Sequence, residues 1–194
     1  MNTPNKITIT RIVMTVIIII LLLFPWGSVG VSFPTYSVKG VIISLQFIIA
    51  GILFIIGSLT DFLDGYIARK YNMVTDLGKM LDAIADKALV NTSLIILAGL
   101  GKVHPIIPVI FVFRDIVVDA IKMQAASKGK VVAAIMSGKI KTASQMIGIS
   151  LVFFSNLPFE MWGYRVAEVF LYFASVMTII SMIEYYHMNK KLFK

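Results

Sequence analysis

The chain has no cysteine, so a disulfide, a thiolate nucleophile and a cysteine-held iron–sulfur centre are all excluded. Histidine is scarce, with only His104 and His187. They fall near opposite ends of the apolar runs, so a histidine zinc site is not expected. Acid is scarce too: ten Asp and Glu stand against eighteen Lys and Arg among 194 residues. Charge of either sign is missing altogether from residues 12–32, 40–60 and 142–159. About 20 such residues cross a bilayer as helix. What is abundant is apolar surface, with 58% hydrophobic residues and a mean hydropathy of +0.89. Globular chains average about 45–50% on a comparable count.

These runs predict an all-α, polytopic membrane protein. Six transmembrane helices are expected at about 8–30, 38–71, 78–100, 104–127, 138–156 and 162–187, with a short N-terminal interfacial segment. The connections are short, so residues 1–194 read as a single domain. The first run lacks a small-residue cleavage site and five more follow, so it reads as a retained helix and not a signal peptide. Six spans place both termini on one side. Thirteen Lys and Arg fall on that side and three, Lys39, Lys102 and Arg165, on the other. The positive-inside rule then makes the termini side cytoplasmic in a cell membrane. The net charge of +8 fits this topology and attraction to anionic headgroups. No soluble basic domain exists to bind nucleic acid.

Four of the ten acids, Asp61, Asp64, Asp82 and Asp86, sit where the second span leaves the bilayer and the third enters it. Asp61 and Asp64 are i,i+3 and share a helix face; Asp82 and Asp86 are i,i+4 and share another. Gly78 lies one turn before Asp82. An ionisable group at membrane depth costs a few kcal/mol and needs a partner. Four carboxylates cannot compensate one another, and the simplest partner is a divalent cation. Carboxylate oxygens suit Mg²⁺ and Mn²⁺, and paired ions act on phosphate groups. A lone Asp-x-x-Asp is usually a solvated surface pair. The conjunction of two such pairs at the ends of adjacent helices is not.

Asp61, Asp64, Gly65, Ala68, Arg69, Gly78, Asp82 and Asp86 reproduce the pattern D-x2-D-G-x2-A-R-x8-G-x3-D-x3-D, with eight residues between Arg69 and Gly78. In this the chain resembles the CDP-alcohol phosphotransferase family. Further segments are similar to the family members that use a glycerol phosphate acceptor. These are Pro4-Asn5 through Thr8 and Arg11, Leu81 to Lys87, Arg114-Asp115-Ile116, and Gly138-Lys139-Ile140-Lys141-Thr142 with Gln145. Ala83 replaces a usual proline, and Asp119 and Lys122 stand where the family usually writes S-G-L-R.

The resemblance implies transfer of a phosphatidyl group from CDP-diacylglycerol to sn-glycerol 3-phosphate, giving phosphatidylglycerol phosphate and CMP. It implies two ions, Mg²⁺ or Mn²⁺, on Asp61, Asp64, Asp82 and Asp86, with Asp86 also the candidate general base. Thr60, Gly65, Ala68, Arg69 and Gly78 would contact the CDP moiety; Gly65 and Ala68 equally suit tight helix packing. The acceptor is an anion, and its candidate partners are Arg114, Lys139, Lys141 and Lys122. Arg114 equally suits a salt bridge to Asp115 or Asp119. A homodimer in membrane lipid is the family expectation. Two alternatives stand beside this reading: the same chemistry with an acceptor such as inositol phosphate or serine, and a cation transporter. Transporters place their acids near the bilayer midplane, whereas these cluster at one face.

Overall fold

The computed structural model describes residues 3–70, 76–130, 132–133 and 135–190; for 3–4, 61–70, 76–77 and 79 it describes the backbone alone. Among the described residues there are six α-helices: α1 (Thr3–Leu23), α2 (Leu45–Lys70), α3 (Asp76–Gly99), α4 (Ile106–Ser127), α5 (Met136–Phe153) and α6 (Val166–Asn189). Two stretches, Asn5–Leu23 and Val166–Asn189, are long and apolar enough to cross a membrane, and Leu45–Thr60 is a shorter apolar stretch.

Three expectations need correction. Residues 35–44 are not helical: β1 (Thr35–Val38) pairs antiparallel with β2 (Val41–Ser44), with Val38 opposite Val41. Lys39 and Gly40 form the two-residue turn with φ of 47° and 88°. Positive φ at both central residues is what a tight hairpin requires, and the flanking valines and isoleucines favour strand. The first helix ends at Leu23, not near 30, because Pro25 disfavours helix at the residue before it. Its freed Leu21 carbonyl accepts from Trp26 Nε1 (3.0 Å) and Gln46 Nε2 (3.2 Å). The N-terminal segment is not a separate element either. Residues 5–23 contain no glycine or proline, so the polar first turns run straight into the apolar part of α1.

α1 packs on both α2 and α3, α6 packs on α4 and α5, and contacts of α2 and α3 with α5 join the halves. The core between them holds Phe54, Leu89, Leu97, Phe111, Phe153 and Leu171. Small residues permit the closest approaches. A Cβ on Gly148 would stand 2.8 Å from the Leu171 side chain, and one on Gly57 would stand 2.8 Å from Leu89.

Three connections gather at one end. Lys102, after α3, lies over the Phe47 ring at the start of α2. Ser155, after α5, donates to the Ile42 carbonyl of the hairpin at 3.4 Å. Asn156 ties that connection to α6: its Oδ1 accepts from Ala167 N–H (2.9 Å), and its Nδ2 donates to Tyr164 O (2.7 Å). The aspartate segment is at the other end of α2 and α3.

Candidate active site

Arg11, Gly57 and Leu89 bring α1, α2 and α3 together. Gly57 leaves room for the Arg11 stem, whose Cγ lies 3.6 Å from where a Cβ would be. The Arg11 side chain is 0% exposed, and its Nη1 donates to Asp82 Oδ1 at 3.3 Å. Asp82 and Asp86 are both half-buried and one turn apart on α3. Positions 61 and 64 follow Gly57 by four and seven residues on α2, which continues the helix face that Gly57 turns toward α1 and α3. The side chains of Asp61, Asp64, Gly65, Ala68 and Arg69 lie outside the described ones. Gly78 is in the first turn of α3. Thr60 spends its hydroxyl proton on its own helix, donating to Gly57 O at 2.8 Å, and keeps its oxygen as an acceptor.

The donor set suits a hard cation. Asp82 and Asp86 offer oxygen ligands from one face, and the signature supplies two more at 61 and 64. Among the described side chains no trio of acids and histidines converges; half of the expected set lies outside them.

A second polar cluster is built from α3, α4, α5 and α6. Arg114 donates from Nε to Ser181 Oγ (3.2 Å) and from Nη1 to Asp115 Oδ1 (3.1 Å). Lys141 Nζ lies 3.6 Å from the same Oδ1 and 5.0 Å from the centre of the Phe111 ring. Asn91 Nδ2 donates to Asp115 Oδ2 at 3.2 Å. Gly138 adjoins the guanidinium: a Cβ there would sit 3.6 Å from Arg114 Nη2. The Tyr185 ring lies 5.6 Å from Arg114 Cζ and 5.7 Å from Lys122 Nζ. Lys139 is exposed. So of the four expected acceptor residues, Arg114 and Lys141 share one carboxylate, Lys122 joins them through Tyr185, and Lys139 stands apart.

The two clusters adjoin along α3, where Asn91, the donor to Asp115, follows Asp86 by five residues. Asp119, out of place in an anion pocket, pairs with Lys87, the residue after Asp86. Sequence reasoning passed over Asn91, Ser181 and Tyr185. The one signal was spacing: Ser181 and Tyr185 are i,i+4 and face the same way on α6.

A family model described as CDP-alcohol phosphatidyltransferase matches residues 1–180. The chain is 40% identical over 198 residues to the Bacillus subtilis CDP-diacylglycerol–glycerol-3-phosphate 3-phosphatidyltransferase, covering 100% of this chain and 97% of that one. It is 35% identical over 193 residues to the protein of that name from Rickettsia bellii, covering 99% and 97%. The crystal structure of Mycobacterium tuberculosis phosphatidylinositol phosphate synthase in apo form has the same fold, with a TM-score of 0.62 and 21% identity, covering 96% of this chain and 88% of that one. With the signature complete from Asp61 to Asp86 and the match running from α1 into α6, the chain belongs to the CDP-alcohol phosphatidyltransferase family.

Proposed function

We infer that this chain is a membrane enzyme that transfers a phosphatidyl group from CDP-diacylglycerol to sn-glycerol 3-phosphate, releasing CMP. The observation that carries this reading is the adjacency of an acid face, Asp82 and Asp86, to a buried cationic cluster, Arg114 and Lys141. Acids that hold cations suit the diphosphate of the donor. Cations beside them suit an acceptor that is itself an anion. A neutral or zwitterionic acceptor such as serine makes no such demand. The relatives that cover the whole chain are named for the glycerol 3-phosphate reaction.

Asp61, Asp64, Asp82 and Asp86 would hold two divalent cations, Mg²⁺ or Mn²⁺. When bound, such ions neutralise phosphate charge and lower the pKa of a nearby hydroxyl. Asp86 accepts the acceptor's hydroxyl proton. The freed oxygen bonds to the lipid-side phosphorus, and the bond from that phosphorus to the bridging oxygen breaks. CMP departs with that oxygen. Arg114 and Lys141 hold the acceptor phosphate by charge-assisted hydrogen bonds, with Lys122 at the rim. Thr60, Gly65, Ala68, Arg69 and Gly78 seat the CDP moiety, the small residues allowing close approach and Arg69 pairing with phosphate.

The chain forms one domain with six membrane-spanning helices, both termini and the site facing the cytoplasm, and it works as a homodimer. The grouped connections at one end of the bundle support the first point, and the lysine count supports the orientation. The homodimer rests on the family resemblance. Detergent-purified protein incubated with CDP-diacylglycerol, Mg²⁺ and each of glycerol 3-phosphate, inositol phosphate and serine should release CMP chiefly with the first. Release with serine or inositol phosphate alone reassigns the acceptor, and ion flux without CMP release favours transport.

A further inference from the structure

We propose that Asp115 is a positioning residue for the acceptor phosphate: its one carboxylate holds Arg114 and Lys141 side by side while neutralising only one of them. This rests on the acceptor reading above and goes further, since Asp115 touches neither substrate.

Asp115 is 9% exposed and lies at the meeting of four helices. Its Oδ1 takes both Arg114 Nη1 (3.1 Å) and Lys141 Nζ (3.6 Å), and its Oδ2 takes Asn91 Nδ2 (3.2 Å). An ion pair built only for stability matches one acid to one base. Here two cations converge on one oxygen among side chains only 8–12% exposed. The next acid toward them, Asp86, belongs to the proposed metal set, so with cations bound there a surplus of positive charge remains, and such a surplus is costly without an anion. The free donors are placed for one. A guanidinium carries five N–H groups. Ser181 takes the Nε–H and Asp115 takes one N–H of Nη1, which leaves both N–H groups of Nη2 between them. Arg114 Nη2 makes no hydrogen bond among the described residues and lies beside Gly138, whose missing side chain leaves the approach open. Lys141 has ammonium protons to spare beyond its contact with Asp115. Without the carboxylate the two cations would repel one another, and the spacing that fits one phosphate would be lost.

The test is steady-state kinetics on purified protein with both substrates varied. Asp115→Asn should raise the KM for glycerol 3-phosphate about tenfold to a hundredfold, the scale of a lost charge-assisted contact. The KM for CDP-diacylglycerol and kcat should change far less. Asp115→Glu should recover most of the acceptor affinity. Lys141→Met should cost less on the Asp115→Asn background than alone, because the pair acts as a unit. Equal rises in both KM values, or lower thermal stability with unchanged KM, make Asp115 a structural residue and overturn the proposal. If Asp115→Asn does not fold, Asn91→Leu carries the test: it frees Oδ2 without removing charge and should raise the acceptor KM alone, by severalfold. An unchanged KM there overturns the proposal too. A wild type that releases no CMP with glycerol 3-phosphate refutes the functional reading instead. Asp115 is then judged by thermal stabilisation with inorganic phosphate. Its loss in Asp115→Asn supports the assignment, and its persistence overturns it.

Discussion

Arg11 and Asp82 meet across the packing of α1 on α3, with guanidinium Nη1 3.3 Å from carboxylate Oδ1 and the arginine side chain wholly enclosed. A cation thus already stands beside a proposed metal ligand. It can orient that carboxylate, as hydrogen bonds behind a metal's own ligands do. It also offsets part of the acid cluster's repulsion when no metal is bound.

Replacing Arg11 with Met keeps the stem and deletes the charge. The variant should lose thermal stability, and lose more of it in chelator than in excess Mg²⁺, because bound ions take over the offset. Paired unfolding curves with EDTA and with Mg²⁺ read this directly. An equal loss in both buffers means that Arg11 serves packing alone.

Chelation should abolish CMP release by the wild type, and added Mg²⁺ or Mn²⁺ should restore it. Asp82→Asn and Asp86→Asn keep side-chain size, so each should stay folded while turnover falls by orders of magnitude. An Asp86→Asn enzyme with near-normal rate would remove the base assignment.

The acceptor residues should separate by burial. Lys141 is 8% exposed at its side chain and touches Asp115, whereas Lys139 is exposed. Lys141→Ala and Arg114→Ala should raise the KM for glycerol 3-phosphate about tenfold or more, and Lys139→Ala should raise it little. Initial rates over a range of acceptor concentrations test the order. A Lys139 effect as large as that of Lys141 would place the phosphate toward the exposed side of α5.

Gly148→Ala tests packing apart from chemistry. The new Cβ would meet Leu171 Cγ and Cδ2 at 2.8 Å, with the Leu171 backbone nitrogen at 3.3 Å. Overpacking of this kind costs about 1–3 kcal/mol. The unfolding midpoint should fall while both KM values hold. A rise in either KM would mean that the α5–α6 contact also shapes the site.

The helices were readable because uncharged runs of bilayer length leave few other structures open. The hairpin at 35–44 was not, because its second strand, Val41–Ser44, is as apolar as the helix that follows and runs into it without a break. Only the Lys39-Gly40 turn distinguished it, and lysine is an unusual first residue there. Asp82 and Asp86 could be placed on one face from spacing alone. The cationic cluster could be named but not arranged: Arg114 and Lys141 are 27 residues apart, and their shared partner Asp115 follows from how α4 packs near α5. The same packing explains Asp119, which reads as a misfit in sequence and stands beside Lys87 in the fold.

The site must reach water and lipid together, since glycerol 3-phosphate and CMP are soluble while two acyl chains stay in the bilayer. The proposed orientation meets that demand from the cytoplasmic side. The hairpin, the turn after α3 and the turn after α5 share one end, and the acids lie at the other, with the lysine-rich connections. The absence of cysteine makes single-cysteine labelling clean. Ser37, Lys102 and Ser127 are all exposed. In intact cells a membrane-impermeant maleimide should label Ser37→Cys and Lys102→Cys. Ser127→Cys, at the end of α4, should react only after the membrane is opened. Labelling of all three from outside, or with the pattern reversed, would put the acids away from the cytoplasmic pools of glycerol 3-phosphate and CMP. The orientation and the route by which substrates enter would then both be wrong.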